Sequence, residues 1–166
     1  MEPAGHEPAR TLNTNGHEQK LFQGEAQKAE TPCHEPARTD TNEHEHFFKK
    51  ELSYKIIQLG IEIRKKVGLG FREKVYENSL MVLFRREGIK AYQQMPFDVY
   101  LEGENVGHHV ADIVVEESVI VEVKAAAQII DEHRAQALSY LRASGLRLAL
   151  ILNFGPARFE HERIVL

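Results

Sequence analysis

Residues 110–115, Val-Ala-Asp-Ile-Val-Val, and 119–124, Val-Ile-Val-Glu-Val-Lys, constrain the fold more than any other part of the chain. Both are nearly continuous apolar runs of strand length, the pattern of strands covered on both faces rather than on one. Such strands need layers packed above and below the sheet. Three charged residues interrupt them, Asp112, Glu122 and Lys124, where an unpaired charge costs on the order of several kcal/mol. A hairpin whose turn centres on Glu117 sets Asp112 opposite Glu122, and Lys124, two residues on, shares that face. Two carboxylates and an ammonium then converge on one side of a β-ribbon. This arrangement suits a hard divalent cation held beside an activated water, hence nuclease-like chemistry. The same letters fit a plain edge hairpin with a wet polar face, where a Glu122–Lys124 pair contributes a fraction of a kcal/mol. The unbroken apolar run at 119–121 favours the covered strand.

The rest of the chain bounds this reading. At 166 residues and 42% hydrophobic content it supports one core, and it has no apolar stretch near the roughly 18 residues a membrane span needs and no secretory segment, so a soluble cytoplasmic protein with no membrane partner is expected. Its single cysteine, Cys33, excludes an intrachain disulfide framework and a cysteine-based zinc site. Residues 1–46 read as a disordered low-complexity tail: large apolar residues are few, and His-Glu-Pro-Ala-Arg-Thr occurs at 6–11 and again at 34–39. Five histidines fall here (His6, His17, His34, His44, His46), scattered in a way that suits adventitious metal contact better than a site. The tail carries four Lys and Arg against nine Asp and Glu; residues 47–166, the expected folded domain, carry 17 against 16. That balance excludes a strongly basic nucleic-acid wrapper. Positive charge is nevertheless clustered around Gly68-Leu-Gly70, with Arg64, Lys65, Lys66, Arg72 and Lys74, and Arg85 and Arg86 further along. Arg64, Arg72 and Lys74 are candidates to meet a phosphate backbone, while Lys65 and Lys66 fit a solvated helix face equally well.

Apolar spacing predicts a helix over 47–67, with Phe48, Leu52, Ile56, Leu59, Ile63 and Val67 on one face, broken by Gly68 and Gly70. A second helix is expected over 71–87, with Val75, Ser79, Leu80, Leu83 and Phe84 inward, ending at Gly88. Strands follow at 96–101, 106–115 and 119–125, then a helix over 131–144 with Asp131 as N-cap and Gly145 at its end. A buried strand begins at Leu148, and 158–165 reads as a short terminal one. Helix, three strands, helix, strand is an α/β order with a mixed sheet, in which the crossover helix delivers the next strand parallel to a neighbour.

At this point the chain resembles a known family. Gly70-Phe-Arg-Glu73-Lys-Val-Tyr76, Asp112, Glu122-Val-Lys124, Gln136-Ala-Leu-Ser-Tyr140 and Leu152-Asn-Phe-Gly155 are similar to the GxxExxY protein family, a branch of the PD-(D/E)XK nuclease superfamily, over roughly residues 48–160. The resemblance implies a restriction-endonuclease-like core and a metal-dependent nuclease. It implies Asp112 and Glu122 as metal ligands with the Val123 main-chain carbonyl, and Glu73 as a further ligand or water holder. Lys124 would orient the attacking water or offset charge on the phosphate. Gln136 and Tyr140, four apart and so on one helix face, would contact the carboxylates or the nucleic-acid strand. Plain readings stand beside these: Tyr140 as a core aromatic, Gln136 as a surface residue, Glu73 as a first-turn acid favoured by the helix dipole. The family's Val-His pair before the glycine junction is absent, Ile63-Arg64 standing in that region. Strand alternation puts His108, not His109, on the Asp112 face.

The resulting expectation is a Mg2+- or Mn2+-dependent phosphodiesterase acting on DNA in preference to RNA, compatible with a homodimer. The competing class is a non-catalytic nucleic-acid-binding or protein-interaction module that keeps the fold.

Overall fold

The computed structural model describes residues 41–166, with side chains from Lys49 onward. Most of the expected 1–46 tail, with the repeated hexapeptide, Cys33 and the five scattered histidines, lies outside the described residues or outside the described side chains. Three helices and five strands follow in the order α1 (Thr41–Val67), α2 (Glu73–Arg86), β1 (Ala91–Leu101), β2 (Glu104–Val115), β3 (Val119–Lys124), α3 (Asp131–Ser144), β4 (Leu148–Phe154) and β5 (Phe159–Val165). The sheet runs β1-β2-β3-β4-β5 in space, antiparallel throughout except for the parallel β3–β4 pair on either side of α3. This is the mixed α/β sheet expected, flanked by helices. No helix among the described residues is long and apolar enough to cross a membrane.

Both faces of the central strands are covered. Leu52, Ile56, Leu59 and Ile63 of α1 and Tyr76, Leu80 and Phe84 of α2 pack on one side with Ile113, Val115, Val119, Val121 and Val123. On the other side Ala137, Tyr140 and Leu141 of α3 pack with Phe97, Val114, Ile120, Ala149 and Ile151. Alternation along β3 therefore sends Val121 and Val123 toward α1 and α2, and Glu122 and Lys124 toward α3.

Several boundaries depart from the sequence reading. Helix α1 starts at Thr41, six residues early, so the tail boundary at 46 falls inside it. In α2 the inward stripe is Tyr76, Glu77, Leu80 and Phe84, and Val75 is exposed: a buried tyrosine and a buried glutamate rotate the stripe by one residue from the purely apolar choice. Strand β1 begins at Ala91, five residues earlier than expected; Gln93 and Gln94 hid its start, and Pro96 is tolerated inside it because β1 is an edge strand. The β1–β2 turn is the pair Glu102 (φ +51) and Gly103 (φ +86), positive at both positions as a type I′ hairpin turn requires. Ile130, not Asp131, is the N-cap of α3; Asp131 is the first helical residue and pairs with Arg134 at 2.7 Å. Gly145 closes α3 as expected, its N–H donating to the Leu141 carbonyl at 3.0 Å.

Candidate active site

The β2–β3 ladder pairs Val115 with Val119, Val114 with Ile120 and Ile113 with Val121, the register expected for a turn centred on Glu117. One step further, Asp112 and Glu122 face each other, and there backbone pairing gives way to side chains. The Val123 N–H donates to Asp112 Oδ2 at 2.9 Å, and the Asp112 N–H points at Glu122 Oε1 at 3.4 Å. Lys124 Nζ lies 3.5 Å from Glu122 Oε2, with side chains 12% and 1% exposed. The three charges thus converge in a nearly closed place. Burial, then the Asp112 charge, pushes the Glu122 carboxyl up to about 8, against the pull of Lys124. Asp112 is raised too, by burial first, with the Val123 N–H opposing and the charges of Glu77 and Glu73 adding to the rise.

Asp112 also lacks a partner on its other side. Gln93 pairs with Ile113 and Met95 with Ala111, while Gln94 between them has φ +56, in the left-handed region. The alternation of β2 reverses across this break: Ile113 packs toward α1 and α2, yet Ala111 packs with Phe97 toward α3. The expectation for His108 is therefore corrected. It is His109 whose ring meets Tyr140, edge to face at 5.4 Å and 82°.

From α3, Gln136 Nε2 donates to the Tyr140 hydroxyl at 3.1 Å. Tyr140 is 6% exposed and its phenol is raised, by burial first and then by the Glu122 charge. Gln136 and Tyr140 thus form one unit beside the carboxylates. Glu73, at the exposed start of α2, accepts the Ala125 N–H at 3.3 Å, directly after Lys124. With Gly70, Phe71, Arg72 and Ala125 it lines a surface depression of about 410 Å3. Of the candidate phosphate contacts, Arg72 lines that depression, Arg64 donates to the Ala157 carbonyl at 3.3 Å, and Lys74 pairs with Glu77 at 2.9 Å.

Among the described residues no three His, Cys, Asp or Glu side chains stand close enough together to hold a metal ion. The donor set that does form is Asp112 and Glu122, with the Val123 carbonyl next in the chain. Two hard carboxylates, crowded and desolvated so that both resist ionisation, fit a hydrated divalent cation, which needs one or two protein carboxylates and keeps several waters.

The surroundings explain motifs that sequence reasoning quoted without a structural role. Tyr76 stacks on Phe154 (4.3 Å, 3°), donates to the Gly68 carbonyl at 3.2 Å and accepts the Phe71 N–H at 3.2 Å. It thereby holds the Gly68–Gly70 junction, whose φ values of +88 and +92 favour glycine, and with it the start of α2 that carries Glu73. Asn153 is fully buried, beside Lys124 in the β3–β4 ladder; its Oδ1 accepts the Ala126 N–H and its Nδ2 donates to the Ala126 carbonyl, each at 3.0 Å. A Cβ at Gly155 would meet that carbonyl oxygen at 2.2 Å. Asn153 and Glu77 were missed as supporting residues. The one sequence signal for Glu77 was its spacing, one helical turn from Glu73.

A model of the PD-(D/E)XK nuclease superfamily matches residues 50–164, a span that holds every side chain above. The chain belongs to the PD-(D/E)XK nuclease superfamily. No curated protein matches the chain. Among solved structures, it is similar to that of SSO0001 (15% identity, TM-score 0.47, covering 55% of this chain and 48% of that one). It is also similar to an alkaline exonuclease from Laribacter hongkongensis (12% identity, TM-score 0.39, covering 51% of each chain). The chain spans about half the length of each of these proteins. PD-(D/E)XK nucleases generally use divalent metals.

Proposed function

We propose that this PD-(D/E)XK protein is a Mg2+- or Mn2+-dependent phosphodiester hydrolase of the GxxExxY branch, acting on DNA in preference to RNA. The observation that carries the reading is the convergence of Asp112, Glu122 and Lys124 where the β2–β3 ladder ends. A pure binding module has no use for two carboxylates facing a phosphate. Asp112, Glu122 and the Val123 carbonyl would hold the cation, which supplies Lewis acidity and a water of lowered pKa. Lys124, almost buried and 3.5 Å from Glu122, orients the attacking water and offsets the charge that builds on the phosphate. Glu73 sits at the mouth of the site as a water holder; to serve as a further ligand it would have to leave the Ala125 N–H and move toward the two carboxylates. Gln136 orients the Tyr140 hydroxyl, and this pair meets the carboxylates or the bound strand. Arg72, which lines the same depression as Glu73, would contact phosphate; Lys74 and Arg64 would have to leave Glu77 and the Ala157 carbonyl to do so.

The test is cleavage of single-stranded, duplex and branched DNA and of RNA, with Mg2+, with Mn2+ and with chelator. Metal-dependent cleavage that Asp112→Asn abolishes is expected, with DNA the better substrate. Binding of nucleic acid with no cleavage under any metal would sink the enzymatic reading in favour of a binding module.

A further inference from the structure

Glu77 is 5% exposed on α2, one turn beyond Glu73, and its Oε2 accepts three hydrogen bonds: from Lys74 Nζ at 2.9 Å, Gln93 Nε2 at 3.0 Å and Gln94 Nε2 at 2.9 Å. Gln93 and Gln94 are successive residues of one strand, and successive side chains of a regular strand point to opposite faces. Both amides reach the same oxygen because Gln94 has φ +56, a conformation disfavoured for a residue with a Cβ that persists only where its surroundings impose it. In register, Gln94 is the residue that would pair with Asp112, and that pair is missing between Gln93–Ile113 and Met95–Ala111.

We propose that Glu77 is a positioning residue for Asp112: by gripping both amides it holds the kink in β1, keeps Asp112 out of the ladder, and leaves the Asp112 carboxylate free to take the Val123 N–H and the metal. A side chain without an acceptor oxygen cannot do this, since all three donors converge on one oxygen. The kink stands on the geometry alone; its consequence for metal affinity rests on the reading of Asp112 as a ligand.

The test uses the metal-free full chain first. In Glu77→Met, which keeps the volume but removes the acceptor, the Val123 amide should exchange with solvent about 10-fold faster or more, while Ile120 and Val121 stay protected. Adding Gln94→Gly should restore protection, because glycine takes a positive φ without a clamp. The Mn2+ affinity, read by calorimetry, should fall about 10-fold in Glu77→Met and recover in the double variant, the scale typical of losing a group that orients a ligand. If Glu77→Met does not fold, Gln94→Leu, which removes the amide and keeps the carboxylate, should show the same loss at Val123. Unchanged Val123 exchange, or loss that Gln94→Gly does not restore, would overturn the proposal. Loss and rescue at Val123 with constant Mn2+ affinity would confirm the clamp and overturn Asp112 as a ligand.

Discussion

At the scale of single residues, the site is a place where charge is held at a cost. Glu122 is raised to about 8 from its ordinary 4.5, so the folded protein keeps a proton that the unfolded chain gives up. Protons bound in excess by the native state make stability fall with rising pH. Without metal, stability should be full below about pH 4.5 and fall, on the order of a few kcal/mol in all, as pH rises through about 8. Asp112, shifted the same way, adds to the slope. Thermal unfolding at several pH values in chelator should show this decline, and Glu122→Gln should flatten most of it. A parent protein equally stable at pH 5 and pH 8 would mean that Glu122 is not desolvated as described. In the proposed mechanism Lys124 is not a ligand, since its charge has the sign a metal ion would carry. Lys124→Ala should leave Mn2+ binding intact while reducing turnover by roughly 100-fold or more, the scale of one preorganised electrostatic group. Lys124→Arg should rescue only in part, because a planar guanidinium cannot take the place of a compact ammonium. Loss of nucleic-acid binding with no separate effect on turnover would make Lys124 a phosphate clamp instead.

At the scale of elements, the segment after β3 is fixed from below by β4. Asn153→Ala leaves the Ala126 N–H and carbonyl without their partners, so a loss of roughly 2 kcal/mol or more is expected in denaturant unfolding. Gly155→Ala should cost about 1–3 kcal/mol, because its methyl would press on backbone that cannot swing aside. Both changes should also lower turnover, since they move the peptide next to Lys124. The apolar face of α1 was legible in the sequence because its signal repeats every three to four residues, β3 because its apolar run is of strand length, and α3 because Gly145 marks its end. Strand β1 was read short because its first half is polar. Those polar residues, Gln93 and Gln94, answer to Glu77 on α2 rather than to a periodic apolar face.

At the scale of the whole molecule, the PD-(D/E)XK match spans residues 50–164. Removing residues 1–40, which stop short of α1, should leave the unfolding midpoint within a degree or two, because that stretch has few large apolar residues to add to a core. A drop of many degrees would show that it packs. The sequence alone determined the covered central strands, the turn at Glu117 and hence the meeting of Asp112 with Glu122 and Lys124, because strand period and turn position are local properties of the chain. Only the tertiary structure decided that β2 reverses its faces at Asp112, that His109 rather than His108 meets Tyr140, and that Glu77 and Asn153 support the site. These depend on bonds such as Gln94 to Glu77 and Asn153 to Ala126, between residues 17 and 27 positions apart. No periodicity in the chain records contacts at such separations; they exist only once the layers have packed.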